Sequence, residues 1–158
     1  MTFDPGTWDP RDRSQDEPQR QRLEQLVNRL SDAELQTPLG GGWTVAVALA
    51  HIAFWDRRAA ALVKLWQQRG SVQTYSEGVD TADIINEAAT PTWQALPPRA
   101  AANEALAAAD VADRALDQGG AALVERIMAA GPPINPARAI HRAEHLDQIE
   151  QSLGRPSP

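Results

Sequence analysis

The 158-residue sequence contains no cysteine. The chain therefore has no thiol of its own to act as a nucleophile, form a disulfide or supply thiolate ligands to a metal. Basic residues are also few, since 15 Lys and Arg stand against 21 Asp and Glu, and the formal net charge is −6. Such a chain lacks the basic surface that nucleic acid or an anionic membrane would attract, and we expect neither as a partner.

Long apolar runs are missing as well. No apolar stretch approaches the roughly 20 residues that a transmembrane helix needs, and residues 1–6 lack the basic and apolar regions of a secretory signal. We therefore expect a cytoplasmic protein. A chain of 158 residues most simply forms one domain and is long enough to bury a hydrophobic core without disulfides.

Alternating β-branched runs are absent too, whereas apolar residues recur at helical spacing. The clearest prediction is a helix that follows an N-cap at Thr44 and ends at Gly70. Pro91 and the pair Pro97-Pro98 should interrupt a short helix that begins near residue 81. Other helices are predicted over about residues 14–30, 98–118, 121–130 and 136–153.

These helices predict an all-α fold, a four-helix bundle with additional short helices. The bundle should occupy residues 18–153. Residues 1–17 are polar and rich in Pro, Asp and Gly, and we expect a flexible N-terminal tail there. Residues 154–158 are expected to form a disordered C-terminal tail.

Histidine occurs only three times, each time on a predicted helix near its apolar side. His141 and His145 are four residues apart and share one helical face, and His51 lies in the long second helix. Three imidazole ligands with one open position are what a catalytic metal requires. We hypothesise that the three histidines bind one divalent ion: Zn, Ni, Fe or Mn. Alternatively, three neutral histidines pack between the helices without a metal.

Helix positions also suggest which residues line a pocket or support the metal ligands, and these are Trp55, Asn86, Arg138 and Gln148. No residue is assigned a catalytic role. The residue after His141 is Arg142, so the general base of the His-Glu-x-x-His zinc proteases is missing. Four carboxylates are candidates for a general base, namely Asp56, Asp83, Glu87 and Glu144. The sequence alone places none of them beside the histidines.

Three motifs together resemble the DinB/YfiT-like superfamily, which includes the N-terminal domain of mycothiol-dependent maleylpyruvate isomerase. They are GWTV at residues 42–45, LAHIAFWD at residues 49–56 and HRAEHLDQI at residues 141–149. The resemblance covers roughly residues 18–153. It implies a DinB-like four-helix bundle in which His51, His141 and His145 hold a divalent metal. The isomerase itself has a glutamate in place of one histidine of the pair, whereas this sequence keeps three histidines.

The resemblance also implies a function. Characterised relatives are metal-dependent thiol S-transferases or thiol-dependent isomerases, and they often form homodimers. We therefore expect a small-molecule thiol (mycothiol, bacillithiol or glutathione) and an electrophile as partners. One alternative is a metal-dependent hydrolase that uses a metal-bound water. Another is a non-enzymatic, stress-related binding module with a structural or vestigial metal.

Overall fold

The structure is a computed structural model that describes residues 3–74 and 81–154. These residues form five α-helices and a two-stranded antiparallel sheet. In chain order the elements are α1 (Asp16–Arg29), a single 3-10 turn (Glu34–Gln36), β1 (Pro38–Gly40), β2 (Trp43–Thr44), α2 (Val45–Arg69), α3 (Thr81–Ala95), α4 (Pro98–Ala129) and α5 (Ala139–Ser152). The predicted all-α fold is confirmed. None of the described helices is long and apolar enough to cross a membrane.

The centre of the fold is α2, which packs most extensively against α4. The Thr44 side chain accepts a hydrogen bond from the Val47 N–H at 3.3 Å, which fixes the start of α2 as predicted. Gly70 ends the helix in the left-handed conformation with φ of 71°. The face of α4 that packs into the core is rich in alanine, including the fully buried Ala105 and Ala109. These small side chains let the two helix backbones approach closely.

Two apolar clusters fill the interior. The larger one joins α1, α2, α4 and α5 through side chains such as Leu26, Leu49 and Ile149. The smaller one lies further along α2, where Trp66 packs with Leu116 and other residues of α4. Burying each large apolar side chain contributes about 1.5–3 kcal/mol, so the larger cluster holds together the end of the bundle that carries the histidines.

Helix α3 differs from the sequence prediction because it continues through Pro91 instead of being interrupted there. Proline has no backbone N–H to donate. In α3 the carbonyl that therefore lacks its helical hydrogen bond is that of Glu87, four residues earlier. Both Pro91 and Glu87 are exposed, so water can bond that carbonyl. Two residues further on, Trp93 is buried in the larger apolar cluster and holds the end of α3 against the bundle.

The structure adds detail at three further boundaries between secondary-structure elements. The segment before α2 forms two short strands that the sequence did not predict, joined through glycines with positive φ. Gly120 has φ of 63° and ψ of −170°, so α4 breaks there, as the sequence predicted. Helix α5 begins at Ala139 rather than near residue 136, and the N–H of Ala137 just before it donates to the carbonyl of Pro10.

The segment before α1 contacts the bundle in the structure. Arg13 donates to Asp16 and reaches Asp117 on α4 at 2.8 Å, and the Pro10 carbonyl bonds the backbone before α5. The division into a flexible tail at 1–17, a bundle at 18–153 and a disordered tail at 154–158 stays a prediction. Residues 155–158 lie outside the described residues.

Candidate metal centre

The fold brings all three histidines together. His51 lies in the second turn of α2, and His141 and His145 lie one turn apart at the start of α5. One ring nitrogen from each lies within 4.8 Å of the other two. This juxtaposition depends on the packing of α5 beside α2, because His51 and His141 are 90 residues apart in the chain.

The closest approach is between the Nε2 atoms of His51 and His141, which are 2.9 Å apart. If one ring is protonated at Nε2, it donates to the other. If neither is, two lone pairs point toward one place, which is the arrangement that a cation favours. The Nδ1 atoms of both rings are buried and have no hydrogen-bond partner among the residues described. Metal-binding histidines usually donate through this second nitrogen, so His51 and His141 depart from that pattern.

Gln148 supports the third ring. Its Oε1 lies 3.4 Å from the Nδ1 of His145, a long contact that favours the tautomer with hydrogen on Nδ1. That tautomer leaves the Nε2 of His145 as a lone-pair donor. Gln148, one turn along α5, is therefore placed to orient His145 rather than to bind a ligand itself.

The surroundings keep the imidazoles neutral. Burial, reinforced by the neighbouring His145, lowers the pKa of His51 to about 3. Burial also lowers the pKa of His141, with Arg138 as the next largest cause. The pKa of His145 is lowered by burial, although its contact with Gln148 opposes the shift. Neutral imidazole is the form that binds a metal, so the site is set for cation binding near neutral pH.

Tryptophans enclose the histidines on one side. The rings of Trp43 and His51 have centroids 4.9 Å apart, and Trp93 lies 5.3 Å from His51. Trp43 also stacks beside His145 at 6.4 Å with an angle of 28° between the rings. Sequence reasoning did not select Trp43 or Trp93 as site residues, although Trp43 belongs to the first of the three motifs. These rings restrict the access of water to the imidazoles.

The three histidines line an open pocket of about 480 Å³, a size typical of small-molecule sites. Three predicted residues, Trp55, Asn86 and Arg138, line it, whereas Gln148 does not. The Trp55 Nε1–H donates to the Oδ1 of Asn86 at 3.0 Å, which fixes the indole on the pocket wall. The full lining comprises Trp43, His51, Trp55, Arg58, Ala82, Asn86, Pro132, Pro133, Ile134, Asn135, Arg138, His141 and His145.

A buried charge network lies directly behind the pocket. The carboxylate of Asp56 accepts from the Nε of Arg138 at 2.8 Å and from the Nε of Arg142 at 2.9 Å. Arg142 also donates through both terminal nitrogens to Asp113 on α4. Burial alone would raise the pKa of Asp56, but Arg142 and Arg138 hold it below its usual value. The network ties α2, α4 and α5 together at the level of the histidines.

The four carboxylates considered as a base are not placed for that role. Asp56 has no exposed surface and both of its oxygens are bonded to arginine. The other three, Asp83, Glu87 and Glu144, are exposed and do not line the pocket. Over residues 3–74 and 81–154, the pocket wall therefore contains no carboxylate.

Comparison with known proteins identifies a family relationship. A family model described as the DinB superfamily matches residues 15–149, which is most of the chain and includes all three histidines. No curated protein and no solved structure gave a match.

Proposed function

The chain belongs to the DinB superfamily, and from this premise we propose that it is a metal-dependent enzyme that activates a low-molecular-weight thiol. The observation that carries the proposal is the convergence of three neutral histidine nitrogens in the lining of an open pocket. We propose His51, His141 and His145 as the metal ligands. The reaction would be a thiol S-transfer or a thiol-dependent isomerisation.

The residues present fit a divalent ion. Three nitrogen donors within 4.8 Å of one another are close enough to share one ion after small ring rotations, because metal–imidazole bonds are about 2.0–2.1 Å long. Imidazole donors suit Zn, Ni and Fe better than Mn, which prefers oxygen ligands. When bound, such an ion would lower the pKa of a thiol or a water at its open position.

The chain's own residues would bind and orient the reactants. Trp43 and Trp55 provide apolar walls that hold an organic molecule and exclude water. Asn86 fixes the ring of Trp55, and Gln148 orients His145. The chain has no cysteine, so the thiol must be a second molecule. Mycothiol, bacillithiol and glutathione are the candidates.

The two alternative functions have less support. A carboxylate beside the attacking water would support hydrolysis as its general base, and the described part of the pocket wall supplies none. A binding module with a purely structural metal would be supported by a closed fourth position. Instead, the three histidines face a pocket of about 480 Å³.

The test is thiol consumption by metal-loaded protein. Protein loaded with Zn, Ni or Fe is mixed with each of the three thiols and 1-chloro-2,4-dinitrobenzene, and the loss of free thiol is followed. We expect metal-dependent consumption that His141→Ala abolishes and Glu144→Ala, an exposed change on the same helix, does not. Metal-loaded protein that consumes none of the thiols would contradict the proposed reaction.

The proposal extends to a homodimer that works in the cytoplasm. The dimer rests on the resemblance to the family rather than on a contact in this single chain, whereas the cytoplasmic location is the expectation drawn from the sequence. Light scattering of the purified protein tests the first, and a mass of one chain would contradict it.

A further inference from the structure

We infer that Asp16, the first residue of α1, is a positioning residue of the metal centre: it caps the first turn of α5 and so fixes His141 where His51 can meet it. The inference deepens the proposed function, since it rests on His141 being a metal ligand. The capping contact itself involves no metal, so it can also be measured on metal-free protein.

The first support is that α5 begins without a cap of its own. Arg138 occupies the N-cap position but makes no side-chain hydrogen bond to the start of the helix, and its guanidinium binds Asp56 instead. The first turn of α5 also contains no acidic residue that would complement the positive end of the helix dipole. Because the first N–H groups of a helix have no partner within it, the start of α5 needs an acceptor from outside the helix.

Asp16 supplies that acceptor. The first N–H of the helix, that of Ala139, donates to the Oδ1 of Asp16 at 2.8 Å. The contact is buried, because Asp16 is only 4% exposed and Ala139 has no exposed surface. A buried N–H that loses its partner keeps the full cost of its desolvation. Water therefore does not simply replace Asp16, and the first turn of α5 depends on this side chain.

Two further contacts hold this arrangement in place. The Oδ2 of Asp16 accepts from the Nε of Arg13 at 2.7 Å, and Arg13 is itself bonded to α4. The carbonyl of Pro10 accepts from the N–H of Ala137 at 3.0 Å. The chain before and at the start of α1 therefore bonds the backbone at two points immediately before the first histidine of α5.

The place of His141 in α5 connects the cap to the site. His141 is the third residue of the helix, so it lies in the turn whose first N–H Asp16 accepts. Its Nε2 is 2.9 Å from that of His51 on α2, and a displacement of the first turn would separate these two nitrogens. His145 lies one turn deeper in the helix and depends less on the cap. Within the described residues Asp16 makes no hydrogen bond to a histidine, so it acts through the backbone of α5.

The experiment measures two quantities for the full chain and three variants: zinc affinity, by competition with a chromophoric chelator, and stability, by urea denaturation. Asp16→Ala removes both the cap and the ion pair, whereas Arg13→Gln removes the ion pair alone. Glu150→Ala is the matched control. Glu150 is also 4% exposed and also joins α1 to α5, through Arg22, but near the opposite end of α5. A contact that only stabilises the fold would change stability and leave the zinc affinity of the folded protein unchanged.

We expect Asp16→Ala to bind zinc about fivefold more weakly than the wild type, because loss of a helix cap typically shifts an equilibrium by about that factor and zinc binding must then reorder the first turn of α5. Glu150→Ala should keep the wild-type affinity although it lowers stability. Arg13→Gln leaves the acceptor in place and should lose less affinity than Asp16→Ala. Unchanged affinity in Asp16→Ala, or an equal loss in either of the other variants, would overturn the inference.

Two measurements on metal-free protein separate this inference from the proposed function. The rings of His51 and His141 have centroids 4.9 Å apart, so their protons should give a nuclear Overhauser effect that Asp16→Ala weakens and Glu150→Ala retains. If Asp16→Ala fails to fold, amide exchange of the wild type takes its place. The N–H of Ala139 should then be protected from exchange although it is the first of its helix.

An Overhauser effect that is unchanged in Asp16→Ala, or an unprotected Ala139 amide in the wild type, would overturn the inference. A wild type that binds no zinc would refute the proposed function. In that case the Overhauser effect and the amide exchange still decide whether Asp16 positions His141.

Discussion

Replacing Asp56 with asparagine tests the buried charge network most sharply. The two oxygens of Asp56 each accept from a different guanidinium, that of Arg138 and that of Arg142. An asparagine side chain fits the same space, but it carries no charge and keeps one acceptor oxygen. Removing one partner of a buried ion pair costs about 3–5 kcal/mol, because the remaining charge is left uncompensated. Since total stability is about 5–15 kcal/mol, Asp56→Asn should remove a large part of it.

The assay is urea denaturation at pH 7, followed by circular dichroism at 222 nm, with Glu104→Gln as the control. Glu104 pairs with Arg57 at 2.7 Å, but both side chains are nearly half exposed, so its removal should cost less than about 1 kcal/mol. The two variants delete the same kind of contact between helices at different depths. If Asp56→Asn were no more destabilising than Glu104→Gln, the claim that this network stabilises the bundle would be refuted.

Three further predictions follow from the same structure. The pKa of His51 falls from 6.5 to about 3 on folding. Between these two pH values the imidazole is mostly protonated in the unfolded chain and mostly neutral in the folded one. The free energy of unfolding of the metal-free protein should therefore be lower at pH 5 by about 2 kcal/mol through this group. In urea titrations at pH 7.5 and 5, the free energy of unfolding should fall less for His51→Gln than for the wild type. Equal decreases in the two proteins would contradict the prediction. Gly120→Ala should lower the melting temperature, because φ of 63° with ψ of −170° lies in a region that only glycine adopts readily, and a residue with a Cβ there costs about 1–3 kcal/mol. An unchanged melting temperature would argue against the break in α4. Adding zinc at about 100 times its dissociation constant should stabilise the wild type by about 2.7 kcal/mol, which calorimetric melting would show as a shift absent from His141→Ala; equal shifts would contradict the assigned ligands.

Sequence rules predict the structure correctly where it depends on neighbouring residues alone. Both ends of α2, at Thr44 and Gly70, are predicted because helix capping depends on a few adjacent residues. The four-residue spacing of His141 and His145 placed both on one helical face. Their meeting with His51 was a hypothesis that needed the packing of α5 beside α2, which no local rule determines.

The charge network was not predictable in the same way. Arg142 lies between the two histidines of α5 and was interpreted from sequence only as the absence of a zinc-protease glutamate. It is fully buried because its partners, Asp56 and Asp113, lie on two other helices. Single-sequence patterns assign charged residues to the surface, and nothing local identifies partners 86 and 29 residues away.

Arg58 lines the pocket, and its spacing from His51 in the sequence indicates that position. It follows His51 by seven residues, two helical turns, and so shares the face of α2 that carries His51 and Trp55. Pro91 is the opposite case, because the local rule for proline predicts an interruption there, whereas α3 continues through it in the folded chain. The burial of Trp93 two residues later holds α3 together.

The most direct test of the metal centre is the metal content of untagged protein, measured by inductively coupled plasma mass spectrometry beside the His51→Ala/His145→Ala double variant. Both proteins are measured as purified and again after reloading with Zn, Ni, Fe and Mn. We predict about one metal ion per chain in the wild type and none in the variant, because three ligands are needed to hold the ion. A wild type that stays metal-free after reloading, or a variant that retains the full metal content, would contradict the assignment of His51, His141 and His145 as ligands.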